Sequence, residues 1–157
     1  MADNQRLKMR EAMATMRSDR LPYMEGIDRL PQDLTGEVLP LCGSTDLRDG
    51  GDAVPFDVVY CGQTCRAFAV RYQGVVRAYL NRCTHVAMEM DYQPNKFWDL
   101  SGQYLICATH GAAYRPDSGH CAAGPCRGNL IPVATSERDG VVHWHTAYNL
   151  KAPYPTP

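Results

Sequence analysis

Two short segments of the 157-residue chain each combine a thiol with an imidazole. Cys83 and His85 are separated by one residue, and Cys107 and His110 are separated by two. Thiolates and imidazoles are ligands that soft and borderline metals prefer, including zinc and the iron of iron–sulfur clusters. The two pairs therefore predict a metal site that is assembled from two separate loops.

The spacing of these pairs bears on which metal they bind. Structural zinc sites usually pair like with like, as two Cys close together and two His close together, whereas here each pair is mixed. One intervening residue on an extended loop directs Cys83 and His85 to opposite sides. This arrangement favours two neighbouring ions, as in a [2Fe-2S] cluster with Cys₂ on one iron and His₂ on the other. A Cys₂His₂ zinc site remains the alternative.

With these motifs the sequence resembles the Rieske [2Fe-2S] family. The resemblance implies one Rieske cluster per chain, with Cys83 and Cys107 bound to the buried iron as thiolates. It implies that His85 and His110 bind the outer iron and leave their free N–H groups near the surface. Protein redox partners are expected to dock near these two imidazoles.

Four further residues take roles from the same resemblance. Gly111 follows the second pair at once and lets the chain turn close to the cluster. Tyr114 could donate a hydrogen bond to a ligating sulfur. Gly124 and Pro125 are expected to form a stiff lid that shields the cluster from water.

The sequence also departs from the high-potential respiratory members of the family. Those members have a disulfide between the two cluster loops, but the matching positions here are Met88 and Thr109. They also place a Ser hydroxyl toward a bridging sulfide, where this chain has Ala112. With one donor retained at Tyr114, we predict a midpoint potential of about −150 to +50 mV, the lower part of the family span.

Five of the seven cysteines lie outside the two pairs: Cys42, Cys61, Cys65, Cys121 and Cys126. In a reducing cytosol, packed thiols are a better expectation for them than disulfides. Cys61 and Cys65 flank a turn, where two packed thiols are favoured over a redox or metal pair. We expect Cys126 to fill space in the lid, and we assign no role to Cys42 or Cys121.

Short runs rich in Val, Tyr and Phe must position these loops. They predict strands over residues 56–60, 65–72, 75–80, 130–134 and 141–145. Residues 81–130 lack strand periodicity, apart from a short apolar stretch at 104–107. The predicted fold is all-β: a Rieske-like antiparallel β-sandwich or barrel with an inserted cluster-binding subdomain. His143 and His145 flank Trp144 and should face away from it, as surface histidines.

The rest of the chain is divided by composition. Residues 1–36 are predicted to be an N-terminal helix and linker, 37–150 the Rieske domain, and 151–157 an irregular tail. In the helix, Met9, Met13 and Met16 follow helical spacing and favour docking on the body or a second subunit, with a target-binding helix as the alternative. Glycine and proline clusters predict extended linker with turns over residues 21–54.

Charge and hydropathy exclude several classes of function. The 16 Lys and Arg residues nearly balance the 17 Asp and Glu residues, and no segment forms a basic arm, so nucleic acid is not an expected partner. The charged N-terminus lacks the apolar centre of a secretory signal, and no apolar run approaches the length of a membrane helix. We expect a soluble, cytoplasmic protein with no membrane partner.

These features predict a soluble one-electron carrier, a Rieske-type ferredoxin that shuttles electrons between a reductase and an oxygenase or other redox enzyme. The chain has no Gly-rich dinucleotide fingerprint and no second iron site that we can place, so we do not expect it to be an enzyme by itself. The alternatives are a non-catalytic redox subunit or redox sensor of a larger complex, and a zinc-stabilised interaction module. The oligomeric state stays open.

Overall fold

The computed structural model describes residues 36–153, and the fold of this part is all-β with antiparallel strand pairs, as predicted. The N-terminal helix predicted over residues 4–20 lies outside the described residues. The strands in chain order are β1 (Val38–Gly43), β2 (Val54–Tyr60), β3 (Gln63–Tyr72), β4 (Val75–Leu80), β5 (Leu105–Ile106), β6 (Ala113–Tyr114), β7 (Cys121–Ala123), β8 (Pro132–Val133), β9 (Thr135–Arg138), β10 (Val141–His145) and β11 (Leu150–Lys151).

The strands of the described residues form three sheets. A five-stranded sheet has the order β11-β2-β3-β4-β8, and a three-stranded sheet has the order β9-β10-β1. These two sheets share one apolar core, to which Val58, Ala69 and Trp144 contribute, and we call them together the base. The third sheet, β5-β6-β7, lies within residues 81–131, which we call the cluster subdomain.

Tight turns define the hairpins of the base. Cys61-Gly62 joins β2 to β3 and Gln73-Gly74 joins β3 to β4, and all four residues have positive φ. Two consecutive residues with positive φ give the turn whose twist matches paired antiparallel strands. The second turn lies where the sequence predicted it, and the first begins one residue earlier.

Strand β3 connects the base to the cluster subdomain because each of its two faces is buried in a different apolar core. Ala67 and Ala69 point into the base core, whereas Phe68 and Val70 point into a second core beneath the predicted site. Such alternation follows from the period-two geometry of a strand. Phe68 stacks on Phe97 of the subdomain, with ring centroids 3.8 Å apart.

One part of the sequence-based interpretation was wrong. Residues 38–43, which we had placed in the linker, form strand β1 and pair with β10. Pro40 obscured this strand, because proline is unfavourable inside a sheet. Here β1 is an edge strand, and Pro40 lies opposite His143 next to a register shift, so its missing N–H disrupts little pairing. A short 3₁₀ turn, Ser44–Asp46, follows.

No helix formed by the described residues has both the length and the hydropathy that crossing a membrane requires.

Candidate metal centre

The first Cys–His pair lies in the loop that follows β4. Buried Asn81, directly after the strand, donates from Nδ2 to Oδ1 of Asp91 and accepts the backbone N–H of Met90 at its Oδ1, both at 2.8 Å. The backbone N–H of Cys83 donates to the carbonyl oxygen of Met88 at 2.9 Å. These bonds hold the loop at its beginning and at its end, although the sequence analysis gave Asn81 no role.

The second pair lies in the turn between β5 and β6. The backbone N–H of Cys107 donates to the carbonyl of Ala112 at 2.8 Å, and that of Gly111 donates to the carbonyl of Cys107 at 2.9 Å. Gly111 has a φ of 78°, a left-handed conformation that favours glycine. The N–H of Ala108 donates to the carbonyl of Met90 at 2.9 Å, which joins the second loop to the first.

The fold places the two thiols of the mixed pairs together and the two imidazoles together. Cys83 and Cys107 are 3% and 2% exposed and pack in the same buried core, where each thiol affects the pKa of the other. His85 and His110 are exposed, with ring centroids 4.9 Å apart and planes inclined by 83°. No three His, Cys, Asp or Glu side chains within residues 36–153 are gathered as ligands of one metal ion. The site therefore has a buried thiol pair and an exposed imidazole pair.

Tyr114 is fully buried beside the thiol pair. Its hydroxyl oxygen lies 3.4 Å from Sγ of Cys83 and 2.8 Å from Oγ1 of Thr84. The backbone N–H of Thr84 donates to the same hydroxyl at 3.0 Å. Because this N–H uses an acceptor position of the hydroxyl, the O–H proton is free to point at the sulfur or at Thr84. The sequence analysis had singled out Tyr114 but not Thr84.

The two thiols differ in acidity. Burial favours the neutral form of Cys83, but hydrogen bonds from Tyr114 and from the backbone N–H groups of Val86 and His85 outweigh it and lower its pKa. Burial raises the pKa of Cys107, and the neighbouring Cys83 raises it further. The thiolate of Cys83 therefore has hydrogen-bond donors already in place.

Gly124 and Pro125, which were predicted to form a lid, lie in the loop after β7, and we call residues 121–126 the lid. Gly124 has a φ of 83°, and a Cβ atom there would lie 2.7 Å from the carbonyl oxygen of Gly111. Real Cβ atoms do not approach a carbonyl oxygen so closely, so only glycine allows this contact between the lid and the second loop. An open cavity of about 670 Å³ lies between the lid and the first loop, lined by Thr84, His85, Gly124, Pro125, Cys126 and Arg127.

Cys121 and Cys126 form a disulfide, which corrects the expectation of packed thiols in the lid. The chain leaves β7 at Ala123, turns at Gly124-Pro125 and returns, which brings the two Cα atoms to 5.8 Å. That distance lies within the usual range for disulfides. The signal in the sequence was two cysteines five positions apart around a Gly-Pro turn.

The other positions that the sequence analysis singled out lie either at the surface or in the core. Met88 is 41% exposed, Thr109 is exposed and Ala112 is fully buried, at the positions that lack the inter-loop disulfide and the Ser hydroxyl. The remaining free thiols are Cys42, Cys61 and Cys65. Cys61 is exposed at its turn and does not face Cys65, which pairs with Val58, so the two do not form the packed pair that was favoured.

None of the three histidines outside the pairs lines the cavity beside His85. His120 is exposed, and His143 and His145 are half-buried on β10 on the face opposite buried Trp144, as the alternation predicted. Ring nitrogen Nε2 of His145 lies 2.9 Å from Oγ of Ser136, and burial together with the nearby His143 lowers the pKa of His145.

The family model of the Rieske [2Fe-2S] domain matches residues 37–137, and the chain belongs to this family. The cofactor of the domain is a Rieske-type [2Fe-2S] cluster, so the zinc alternative is set aside. A comparison with curated protein sequences gave no match.

Solved structures show the same fold at low sequence identity. The ferredoxin of carbazole 1,9a-dioxygenase from Nocardioides aromaticivorans IC177 is 19% identical, with a TM-score of 0.55 over 68% of this chain and 95% of that chain. A complex of reduced oxygenase and oxidized ferredoxin in carbazole 1,9a-dioxygenase contains a chain that is 22% identical, with a TM-score of 0.54 over 74% and 97%. The terminal oxygenase from Novosphingobium sp. KA1 is 21% identical, with a TM-score of 0.54 over 76% of this chain but only 31% of that one.

The residues present fit a cluster of this type. Two thiols in the interior and two imidazoles at the surface supply one donor pair for each of two irons. The buried pair also has the hydrogen-bond donors that a thiolate needs away from water. The same set is poorly arranged for a single ion, because the like side chains are paired at different depths.

Proposed function

We propose that this protein is a one-electron carrier whose cluster is held by Cys83 and Cys107 on the inner iron and by His85 and His110 on the outer iron. The observation that carries the proposal is the division of these side chains by depth, with both thiols buried and both imidazoles exposed. When bound, such a cluster takes up and releases one electron at a time.

The chain's own residues would support this role in three ways. Gly111 lets the second loop turn tightly, and Gly124 with Pro125 covers one side of the site. Tyr114 presents its hydroxyl to Sγ of Cys83 and would stabilise the added negative charge of the reduced state. The exposed edges of the imidazoles would provide the point of entry and exit for electrons.

We expect a protein partner to dock at the exposed edge of the two imidazoles. Similar folds include a ferredoxin in a complex with the oxygenase of carbazole 1,9a-dioxygenase, which supports an oxygenase as the electron acceptor for this chain. A reductase is the donor that we propose. Val86 and Met88, on the loop that carries His85, are 44% and 41% exposed. Exposed apolar side chains next to a redox edge favour a transient protein contact.

Electron transport by the purified holoprotein tests this function. We expect a red-brown protein with two irons and two sulfides per chain that accepts one electron. It should carry electrons from an NADH-dependent flavin reductase of an oxygenase system to cytochrome c, used here as a probe acceptor. Colourless protein containing one zinc would overturn the cluster assignment, and a cluster that the reductase cannot reduce would overturn the carrier role.

The docking face is tested by a charge placed on it. Met88→Glu should slow reduction by the flavin reductase while leaving the visible spectrum and midpoint potential unchanged. Leu100→Glu is the matched control. Leu100 is fully exposed in a turn that precedes β5, whereas Cys107 follows that strand. Equal slowing by both variants, or by neither, would place the docking face elsewhere.

A further inference from the structure

The lid of the metal centre is closed by a covalent bond that the proposed function does not use. The disulfide of Cys121 and Cys126 joins the two ends of the lid and encloses Gly124 and Pro125. Respiratory members of the family link their two cluster loops, but Met88 and Thr109 prevent that link here. This chain instead has its covalent bond within the third loop of the site.

The disulfide is part of the wall of the site. Cys126 packs in the same buried core as Cys83 and Cys107, and it lines the cavity beside Thr84 and His85. At Gly124 the enclosed turn closely approaches the backbone of Gly111, the residue next to His110. A change in the lid's freedom therefore acts directly on both cluster loops.

The stabilisation that this disulfide supplies is mainly local. The cysteines are five positions apart, and a cross-link that closes so short a loop removes less conformational freedom from the unfolded chain than one that closes a long loop. Its larger effect is on the folded lid, where all four enclosed residues, Ala122, Ala123, Gly124 and Pro125, are exposed. Opening the bond should thus loosen the lid far more than it lowers the melting temperature.

The surroundings of the two sulfurs also suit the reduced state. Sγ of Cys126 lies 3.2 Å from the carbonyl oxygen of Ala123 and 3.6 Å from that of Ala113, and Sγ of Cys121 lies 3.1 Å from the carbonyl of Cys126. When reduction lets the two sulfurs move apart, these nearby carbonyl oxygens are available as acceptors for the thiols. Cys121 is half-buried whereas Cys126 is 8% exposed, so an external thiolate reaches Cys121 first.

We propose that the Cys121–Cys126 pair is a thiol-responsive clasp that controls how firmly the lid retains the cluster. A dithiol reductant attacks Sγ of Cys121, which forms a mixed disulfide, and Cys126 leaves as a thiolate that takes up a proton. The second thiol of the reductant then displaces Cys121. The protein disulfide gains two electrons and two protons, and the dithiol becomes a cyclic disulfide.

Cluster release by the full-length holoprotein tests the clasp, which rests on the proposed ligation. The visible absorbance is followed in the presence of an iron chelator, with and without prior treatment with dithiothreitol. We expect release to become severalfold faster after treatment. The double variant Cys121→Ser/Cys126→Ser should release the cluster quickly in both conditions, which separates opening of the clasp from attack of the reagent on the cluster. Cys61→Ser, which removes an exposed free thiol, should behave as the wild type.

Two further measurements keep the result decisive. Alkylation under denaturing conditions should find five free thiols before reduction and seven after it. Amide hydrogen exchange of the wild type should speed up in residues 121–126 after treatment, with no variant needed. Release rates that are the same in oxidised, reduced and doubly substituted protein would overturn the clasp, whereas a protein without iron and sulfide would overturn the ligation instead.

Discussion

The base and the cluster subdomain are built on different principles. The base has strands of up to ten residues, registers that are continuous except between β1 and β10, and a core of alternating apolar side chains. The subdomain has strands of two or three residues and is held by side-chain-to-backbone hydrogen bonds, a disulfide and the aromatic stacks of Phe97 and Trp98 on rings of β3. Both regions bury an apolar core, but the base adds long ladders of paired strands, whereas the subdomain, which has few backbone pairs, adds specific polar and covalent links.

This contrast makes the two regions unequal in their dependence on the cofactor. Ligands drawn from two loops at the subdomain's surface add a cross-link between segments that have few backbone pairs of their own. We therefore expect metal binding to contribute to the stability of the subdomain and hardly at all to that of the base.

Removal of a cluster ligand should give the largest difference in stability between the two regions. Cys107→Ser should abolish the cluster and its visible absorbance, and hydrogen exchange should rise throughout residues 81–131 while β2, β3 and β4 stay protected. Cys42→Ser, which changes a half-buried free thiol on β1, should keep the full absorbance. Loss of protection in both regions together would show that they fold as one unit.

The stack of Phe97 on Phe68, which joins the two regions, should give the next largest effect. Phe97 is 1% exposed and stacks on Phe68, so Phe97→Ala should lower the free energy of unfolding by about 3–5 kcal/mol and speed cluster release. Phe56→Ala, at a half-buried ring that contacts Trp144 in the base, should cost less and leave the release rate unchanged. Thermal melts and chelator-driven bleaching of both variants measure these two quantities, and faster release from Phe56→Ala would contradict the division.

Much of the base could be predicted from sequence, because its signals are local. The alternation in β3 and β10 and the turn at Gln73-Gly74 are visible in the residues themselves. Strand β1 was missed because Pro40 masks it, and its pairing with β10 is a contact between distant parts of the chain. Such a contact leaves no pattern within a short window.

The side chains that the structure brings together at the candidate site could be singled out from sequence, but the residues that support them could not. Spacing alone indicated two pairs, and the resemblance supplied Gly111, Tyr114 and the lid. The roles of Asn81 and Thr84 depend on which backbone groups the folded loops bring near them, which sequence does not show. The lid disulfide was missed because an assumed reducing compartment outweighed the spacing of its cysteines.

A smaller effect is expected from the hydroxyl group beside Cys83. Tyr114→Phe removes a hydrogen bond that favours the more negative reduced state, so the midpoint potential should fall. A hydrogen bond of about 1 kcal/mol corresponds to about 40 mV for a one-electron couple. Tyr79→Phe is the matched control, since its hydroxyl is equally buried but donates to the carbonyl of Pro116 at 2.7 Å. Redox titration of both variants checks this, and an equal fall in both would remove Tyr114's special role.

The smallest effect is expected in the base, at the ion pair of Arg71 and Glu137. The two side chains form hydrogen bonds of 2.7 and 3.1 Å, and the bonds from Arg71, with a lesser one from Ser44, lower the pKa of Glu137 to about 2. Because the folded pKa lies below the unfolded one, the stabilisation is present above about pH 4.5 and is lost as the pH falls toward 2.

Glu137→Gln tests this pair and should cost about 1 kcal/mol or less at neutral pH, since the Glu137 side chain is 32% exposed. The difference between variant and wild type should shrink as the pH falls from 4.5 toward 2. Asp57→Asn, at a more exposed ion pair with Arg66, should have no measurable effect, and neither variant should change the midpoint potential. Denaturant unfolding at several pH values provides the measurement, and a pH-independent difference would refute the assignment.

The central claim is that two thiolates and two imidazoles bind one cluster at different depths, and pulsed EPR of the reduced protein tests it most directly. Nitrogen nuclei bound to iron couple to the unpaired electron, so His85 and His110 should give two strong ¹⁴N couplings in a signal of one spin per chain. A [2Fe-2S] signal without nitrogen couplings of that strength would contradict the assignment of both imidazoles.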